Sequence, residues 1–273
     1  MRLYISSDME GVAGVCAWEQ VDARTPHPEY ERYRAFYTYE VVAAIEGARS
    51  AGATEILVND SHGPMRNLLL EELPTGVRVI FGARKPFSMV QNGGGFDGAF
   101  FIGYHGAIGD ADAVLAHTYT PSVVYEVRLN GVVCSEATLN AALLGYWNVP
   151  VLLVSGDRTT VDGVRTMMPW VRGVTVKESI GMFAADSISP VAARRAIYEG
   201  AAAAVSDRAA ARAYDVASPV VLDVQLAKVE QADLVATIPG FERTGARSVR
   251  FIDPEMPVVF KAFVATFRLG GLA

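Results

Sequence analysis

Three apolar runs punctuate the first 105 residues, and each opens onto polar side chains. Leu3-Tyr4-Ile5 leads to Asp8-Met9-Glu10, Ile56-Leu57-Val58 to Asn59-Asp60-Ser61-His62, and Phe100-Phe101-Ile102 to Gly103-Tyr104-His105. A short, unbroken apolar run is the pattern of a strand buried on both faces, as in parallel sheets. Strands are predicted at Arg2 to Ser7, Glu55 to Asn59, Val77 to Phe81 and Gly98 to Gly103. Tyr30, Tyr33, Tyr37, Val41, Ala44, Ile45 and Ala48 recur at the 3.6-residue period, which predicts a helix from Pro28 to Ser50 with Gly52 as its stop. Lys85 to Gln91 reads as one or two helical turns ended by Gly93-Gly94-Gly95.

The alternation breaks in the middle of the chain. Val123 to Leu129, Asn130-Gly131 and Val132 to Cys134 form a hairpin signature. A helix from Glu136 to Leu144 follows, with Ser135 as N-cap and Gly145 as stop. Val149 to Val154 is another buried strand, ending at Gly156-Asp157. A helix from Arg158 to Met168 and a strand at Val174 to Val176 come next. Ser189-Pro190 then opens an Ala-rich helix running to about Ala213. Ser218-Pro219 reads as a boundary. Beyond it the pattern gives a strand at Val220 to Leu226, a helix near Val229 to Ala236 and a strand at Ser248 to Phe251. Asp253-Pro254-Glu255 opens a final helix, whose apolar face is Met256, Phe260, Phe263, Val264 and Phe267. The expected class is α/β. A doubly wound, mostly parallel sheet with helices on both faces spans 1–217, and a small C-terminal α+β subdomain over 218–273 packs on it.

With 51% hydrophobic residues in 273, the chain can bury a substantial core. Its net charge of −6, a pI of about 5.3 and the lack of any Lys/Arg-rich run argue against a nucleic-acid partner. Cys16 and Cys134 form no CxxC pair, which fits a reducing compartment. The first residues enter a strand with no leader pattern, and no apolar run approaches the ~18 residues of a membrane span. A cytoplasmic protein without a membrane segment is expected.

In open α/β sheets, ligands bind beyond the C-terminal ends of the strands. Asp8 and Glu10, two apart in extended chain, point their carboxylates to one side, where they repel unless a cation lies between them. Gly11 and Gly14 let the backbone turn away. Asp60 and His62 repeat the spacing, with the second ring nitrogen of His62 held by Asp60 or by backbone. Taken singly, each candidate has a plain explanation. His62 and His105 read as structural imidazoles, His117 as a surface or capping residue, and Glu136 as a complement to a helix dipole. Together they point elsewhere, because three of the four histidines lie in or just after apolar segments that a sheet brings to one edge. Asp8, Glu10, His62, His105 and Glu136 exceed the three protein ligands of one catalytic zinc and suit two metals sharing a carboxylate. His27, in Thr25-Pro26-His27-Pro28, reads as a loop residue without a role.

Ser7-Asp8-Met9-Glu10-Gly11, Val58-Asn59-Asp60-Ser61-His62, Lys85-Pro86-Phe87-Ser88-Met89-Val90, Gly103-Tyr104-His105 and Val149-Pro150-Val151-Leu152 occur in this order. Together they resemble the zinc-dependent D-aminopeptidases of bacterial dipeptide-transport operons, the DppA type, over nearly the whole chain. The resemblance implies two zinc ions per subunit, held by Asp8, Glu10, His62, His105 and Glu136, with Asp8 as the bridge. Glu136 departs from the pattern in its Cys134-Ser135 context, where Gly is expected before the Glu. The resemblance also implies a directly catalytic His117, short peptides with an N-terminal D-amino acid as substrates, and a ring-shaped homo-oligomer, a decamer.

A dinuclear site would acidify a water and polarise the scissile carbonyl. His117 would act as general base and acid, or as a nucleophile. Two other readings predict different behaviour: a metal amidohydrolase acting on another amide, and a metal-stabilised ring protein that binds peptides without turnover.

Overall fold

The structure, a computed structural model, describes residues 1–25 and 27–273. Its central sheet contains β1 (Arg2–Ser7), β2 (Glu55–Asp60), β3 (Val77–Ile80), β4 (Gly98–Tyr104), β7 (Val151–Asp157), β8 (Arg172–Gly181) and β9 (Ala184–Ser187). They lie in the order β3-β2-β1-β4-β7-β8-β9, all parallel except β9, which returns antiparallel along β8. The chain winds outward from β1 through β2 to β3, then crosses back to place β4 on the other side of β1. The gap between β1 and β4 is therefore the switch point of the winding, where a crevice opens beyond the strand ends.

Side chains alternate across this sheet with the period of two that strands impose. Leu3, Ile5, Phe100 and Ile102 pack against α1 (Pro28–Ser50) and α4 (Pro190–Ser206). Tyr4, Ala99 and Phe101 face the opposite layer, formed by α2 (Glu136–Tyr146), α3 (Arg158–Met167) and a second sheet. That sheet runs β11 (Phe241–Gly245), β12 (Ser248–Asp253), β10 (Val220–Leu226), β5 (Val124–Leu129), β6 (Val132–Val133), and α5 (Val229–Val235) and α6 (Met256–Gly270) pack with it. Residues 218–273 thus share their sheet with the hairpin β5–β6, because β5 pairs antiparallel with β10. Asn130, at φ +48°, and Gly131, at φ +83°, make the two-residue turn that joins β5 to β6.

Some elements differ from expectation. Helix α4 ends at Ser206 rather than Ala213; the residues after it are largely exposed, and Ala-rich propensity without an apolar face to bury does not extend a helix. Strand β8 is longer than its apolar core because its second half pairs with β9. The edge strands β9 and β11 carry no apolar run, as is usual for edges exposed to water. His27 has a local role: its Nδ1 accepts from the Glu29 N–H at 3.3 Å and caps α1. Among the described residues, no helix is long and apolar enough to cross a membrane.

Candidate metal centre

The loops after β1 and β4 meet backbone to backbone. Asp8 N donates to Ile102 O and Gly11 N to Gly103 O, each at 2.8 Å. A Cβ at Gly11 would sit 1.9 Å from the Tyr104 carbonyl oxygen, and one at Gly103, at φ +71°, 2.1 Å from that of Asp8. Gly11 therefore serves close approach, whereas Gly14, at φ +81°, makes the turn. This contact brings Asp8 and Glu10 beside His105. The loop is also held from behind by the buried Lys177 of β8, whose Nζ donates to the carbonyls of Glu10, Val12 (3.0 Å) and Val15 (2.7 Å).

His62 enters from the end of β2. Asp60 accepts from the backbone N–H of Leu68 at 2.8 Å and from both the backbone and side-chain N–H of Asn67, and so shapes the following loop rather than the imidazole. Backbone orients the ring instead, with the Val21 carbonyl 2.7 Å from Nε2. His105 Nδ1 lies 2.9 Å from the Gly106 carbonyl, and His117 Nδ1 lies 2.8 Å from that of Leu115. A carbonyl only accepts, so each of these nitrogens carries the proton and the other ring nitrogen of each neutral imidazole is bare.

All three bare nitrogens face carboxylates. His62 Nδ1 lies 3.1 Å from Asp8 Oδ1 and 2.9 Å from Glu10 Oε2. His105 Nε2 lies 3.4 Å from Asp8 Oδ2 and 3.5 Å from Glu136 Oε1. His117 Nε2 is 3.8 Å from Glu10 Oε1 and from Glu136 Oε1. Glu136, in the first turn of α2 behind the Ser135 cap, also accepts from the Tyr119 N–H. All six side chains are buried. Acceptors turned on acceptors away from water demand a cation.

The separations fit a metal. Zinc bonds to N and O of about 2.0–2.2 Å place neighbouring ligands of a tetrahedron roughly 3.4 Å apart. Potential ligand atoms fall into overlapping groups, each within 4.8 Å: Asp8, Glu10 and His62; Asp8, His105 and Glu136; and Glu10, His105 and His117. Asp8 belongs to the first two through its separate oxygens. The imidazoles of His105 and His117 stack 4.1 Å apart and 5° from parallel, and Trp18 meets His117 edge-on at 5.3 Å.

A cavity of about 630 Å³ opens beside the cluster, lined among others by Trp18, His62, Ser88, His117, Phe267 and Arg268. The structure brings together every candidate residue: Asp8, Glu10, His62, His105, His117 and Glu136. Sequence reasoning missed Lys177 and Trp18, and for the second nitrogen of His62 it left Asp60 and backbone open, of which the structure shows backbone. Lys177 and Trp18 carry no signal outside the fold, because each acts by its position against a segment distant in the chain.

Comparison with known proteins places this geometry in context. A family model described as D-aminopeptidase, peptidase family M55, matches residues 1–265. A D-aminopeptidase from Bacillus subtilis (strain 168) is 35% identical over 274 residues, covering 98% of this chain and 97% of the relative. A solved structure described as a Zn-dependent D-aminopeptidase, DppA from Bacillus subtilis, a self-compartmentalizing protease, superposes with a TM-score of 0.96 at 33% identity, covering 100% of this chain and 99% of the other.

Proposed function

The chain belongs to the D-aminopeptidase family and is a peptidase of that kind, and from that premise we propose a dinuclear zinc site with defined roles for its residues. Asp8, Glu10 and His62 would hold one ion and Asp8, His105 and Glu136 the other, with Asp8 shared between the two groups. The observation that carries this reading is the divided carboxylate of Asp8, with Oδ1 3.1 Å from His62 Nδ1 and Oδ2 3.4 Å from His105 Nε2. Zinc, when bound, supplies a Lewis acid for the scissile carbonyl and lowers the pKa of water toward neutrality.

The remaining work falls to the chain's own side chains. His117 keeps its Nδ1 proton on the Leu115 carbonyl, so its Nε2 is free to take a proton from the attacking water and return it to the departing amine. Direct attack by the same nitrogen is the other route. Trp18 and Phe267 line the cavity beside these groups. The substrates are short peptides with an N-terminal D-residue such as D-Ala, and the setting is the cytoplasm. The solved relative is described as self-compartmentalizing. We extend this to a ring-shaped homo-oligomer of this chain, a decamer by family resemblance.

The test combines metal analysis with hydrolysis. The wild type is expected to hold two zinc ions per chain and to cleave D-Ala-D-Ala, not L-Ala-L-Ala, in a chelator-sensitive way. Asp8→Ala is expected to hold fewer than one. Two ions retained in Asp8→Ala would remove the bridge.

A further inference from the structure

The cavity beside the cluster carries two polar groups that the cluster leaves unused. The first is Ser88. It is 1% exposed, lines the cavity, and its hydroxyl has no hydrogen-bond partner. Its φ of +42° lies in the left-handed region, which a non-glycine residue occupies at a cost. The conformation is imposed from both sides. Ser88 N donates to the Lys85 carbonyl at 3.1 Å, and Asn59 Nδ2 donates to the Ser88 carbonyl at 3.1 Å. Lys85 is in turn buried, with Nζ donating to Asn59 Oδ1 and, at 2.6 Å, to the Asp60 carbonyl. These buried contacts hold a strained residue, with a buried and unpaired hydroxyl, in the wall of the cavity. A fold gains nothing from either feature, whereas a bound ligand gains a fixed hydrogen-bonding group.

The second is Arg268, in the last turn of α6. It is half-buried, lines the same cavity and has no ion-pair partner among the described residues. Its guanidinium lies 5.4 Å from the Phe267 ring, which in turn packs 4.9 Å from Tyr119. Burial, and then Arg84 nearby, push its pKa below the ordinary arginine range. A cation at a helix C-terminus complements the dipole. That does not account for a half-buried guanidinium that has a second arginine nearby and no carboxylate within ion-pair distance among the described residues.

An aminopeptidase substrate supplies what is missing. Cleavage occurs at its amine end, which lies at the cluster, and a dipeptide ends in a free carboxylate roughly 7 Å further on. We propose that Ser88 and Arg268 form the subsite for the leaving residue. The guanidinium pairs with the terminal carboxylate, the Ser88 hydroxyl bonds to the peptide backbone, and the pair selects very short peptides. The proposal rests on the cluster being the place of cleavage.

The experiment compares kcat/KM for D-Ala-D-Ala and for the same dipeptide with its carboxylate amidated. Arg268→Gln is expected to lose on the order of 10- to 100-fold on the free acid, as for a hydrogen bond to a charged group, and little on the amide. Arg268→Lys should recover part of the loss. Ser88→Ala should lower kcat/KM on both substrates while melting no lower than the wild type. Equal losses on acid and amide, or none, in Arg268→Gln would overturn the carboxylate assignment. A lower melting temperature with unchanged kinetics in Ser88→Ala would make its hydroxyl structural. Failure of the cluster reading shows separately, as wild-type turnover that a chelator does not affect.

Discussion

His62 donates its Nε2 proton to the Val21 carbonyl at 2.7 Å, and this bond decides what the ring offers on its other side. In the neutral ring Nδ1 is left bare, 2.9 Å from Glu10 and 3.1 Å from Asp8. Without a cation, the cluster balances itself with protons. Burial opposes charge on both rings. The carboxylates of Glu10 and Asp8 around His62, and of Glu136 and Asp8 around His105, outweigh it and hold both imidazoles well above their usual pKa.

Zinc has to displace those protons. Uptake near neutral pH is expected to release protons from both His62 and His105, and affinity should fall steeply as pH is lowered. Calorimetric titration of metal-free protein in buffers of different ionisation enthalpy counts the protons. Uptake without proton release would mean that the rings are not the ligands.

His117 is expected to separate catalysis from metal binding. Its Nε2 stands 3.8 Å from its nearest carboxylates, farther than the 2.9 to 3.5 Å found for His62 and His105. His117→Ala should therefore keep the wild-type zinc content and lose about 100- to 10,000-fold in kcat, the range for a general acid–base. Zinc lost together with activity would make it a ligand.

Glu40 gives stability a pH dependence away from the cluster. Its carboxyl is buried on α1, with Oε1 accepting from Ala13 N at 3.0 Å and Oε2 unpaired. Burial raises its pKa from 4.5 to about 7, against the Ala13 bond and Lys177. Between these values the folded chain holds a proton that the unfolded chain releases. The stabilisation is complete below pH 4.5 and is lost as pH rises through about 7, a change of roughly 3 kcal/mol at 1.36 kcal/mol per unit. Glu40→Gln keeps an acceptor for Ala13 and cannot ionise. It should be more stable than the wild type above neutral pH, with a flatter urea midpoint against pH. Parallel profiles for the two proteins would refute this.

The same physics explains what was legible in the chain. Strands β1, β2 and β4 are buried on both faces, so they read as apolar runs, and a parallel sheet brings their following residues to one edge. Asp8, Glu10, His62 and His105 follow from that alone. Glu136 does not, because a carboxylate in a first helical turn is explained by the helix itself; it enters as a fifth member of the set and by family resemblance. Asn130-Gly131 specifies a hairpin but not the sheet it joins, so the pairing of β5 with β10 was hidden. Lys177 was equally silent, since its three carbonyl partners lie more than 160 residues away.

The tip of the β8–β9 hairpin is apolar, exposed and bonded to the loop that carries His117. Ile180 is 75% exposed and Phe183 59%, and Met182 between them is also exposed, an apolar group that a lone chain has no reason to present to water. The Met182 carbonyl accepts from Leu115 N at 3.0 Å, and the Leu115 carbonyl holds the Nδ1 proton of His117 at 2.8 Å. If a second copy of the chain covers this tip in the proposed ring, contact between subunits steadies the loop that sets the tautomer of His117. Phe183→Glu places a charge in that contact without touching the cluster. It should give smaller particles by light scattering, with zinc content preserved and kcat reduced several-fold. Unchanged particle mass would place the subunit contact elsewhere. Small particles with full kcat would uncouple the hairpin from His117.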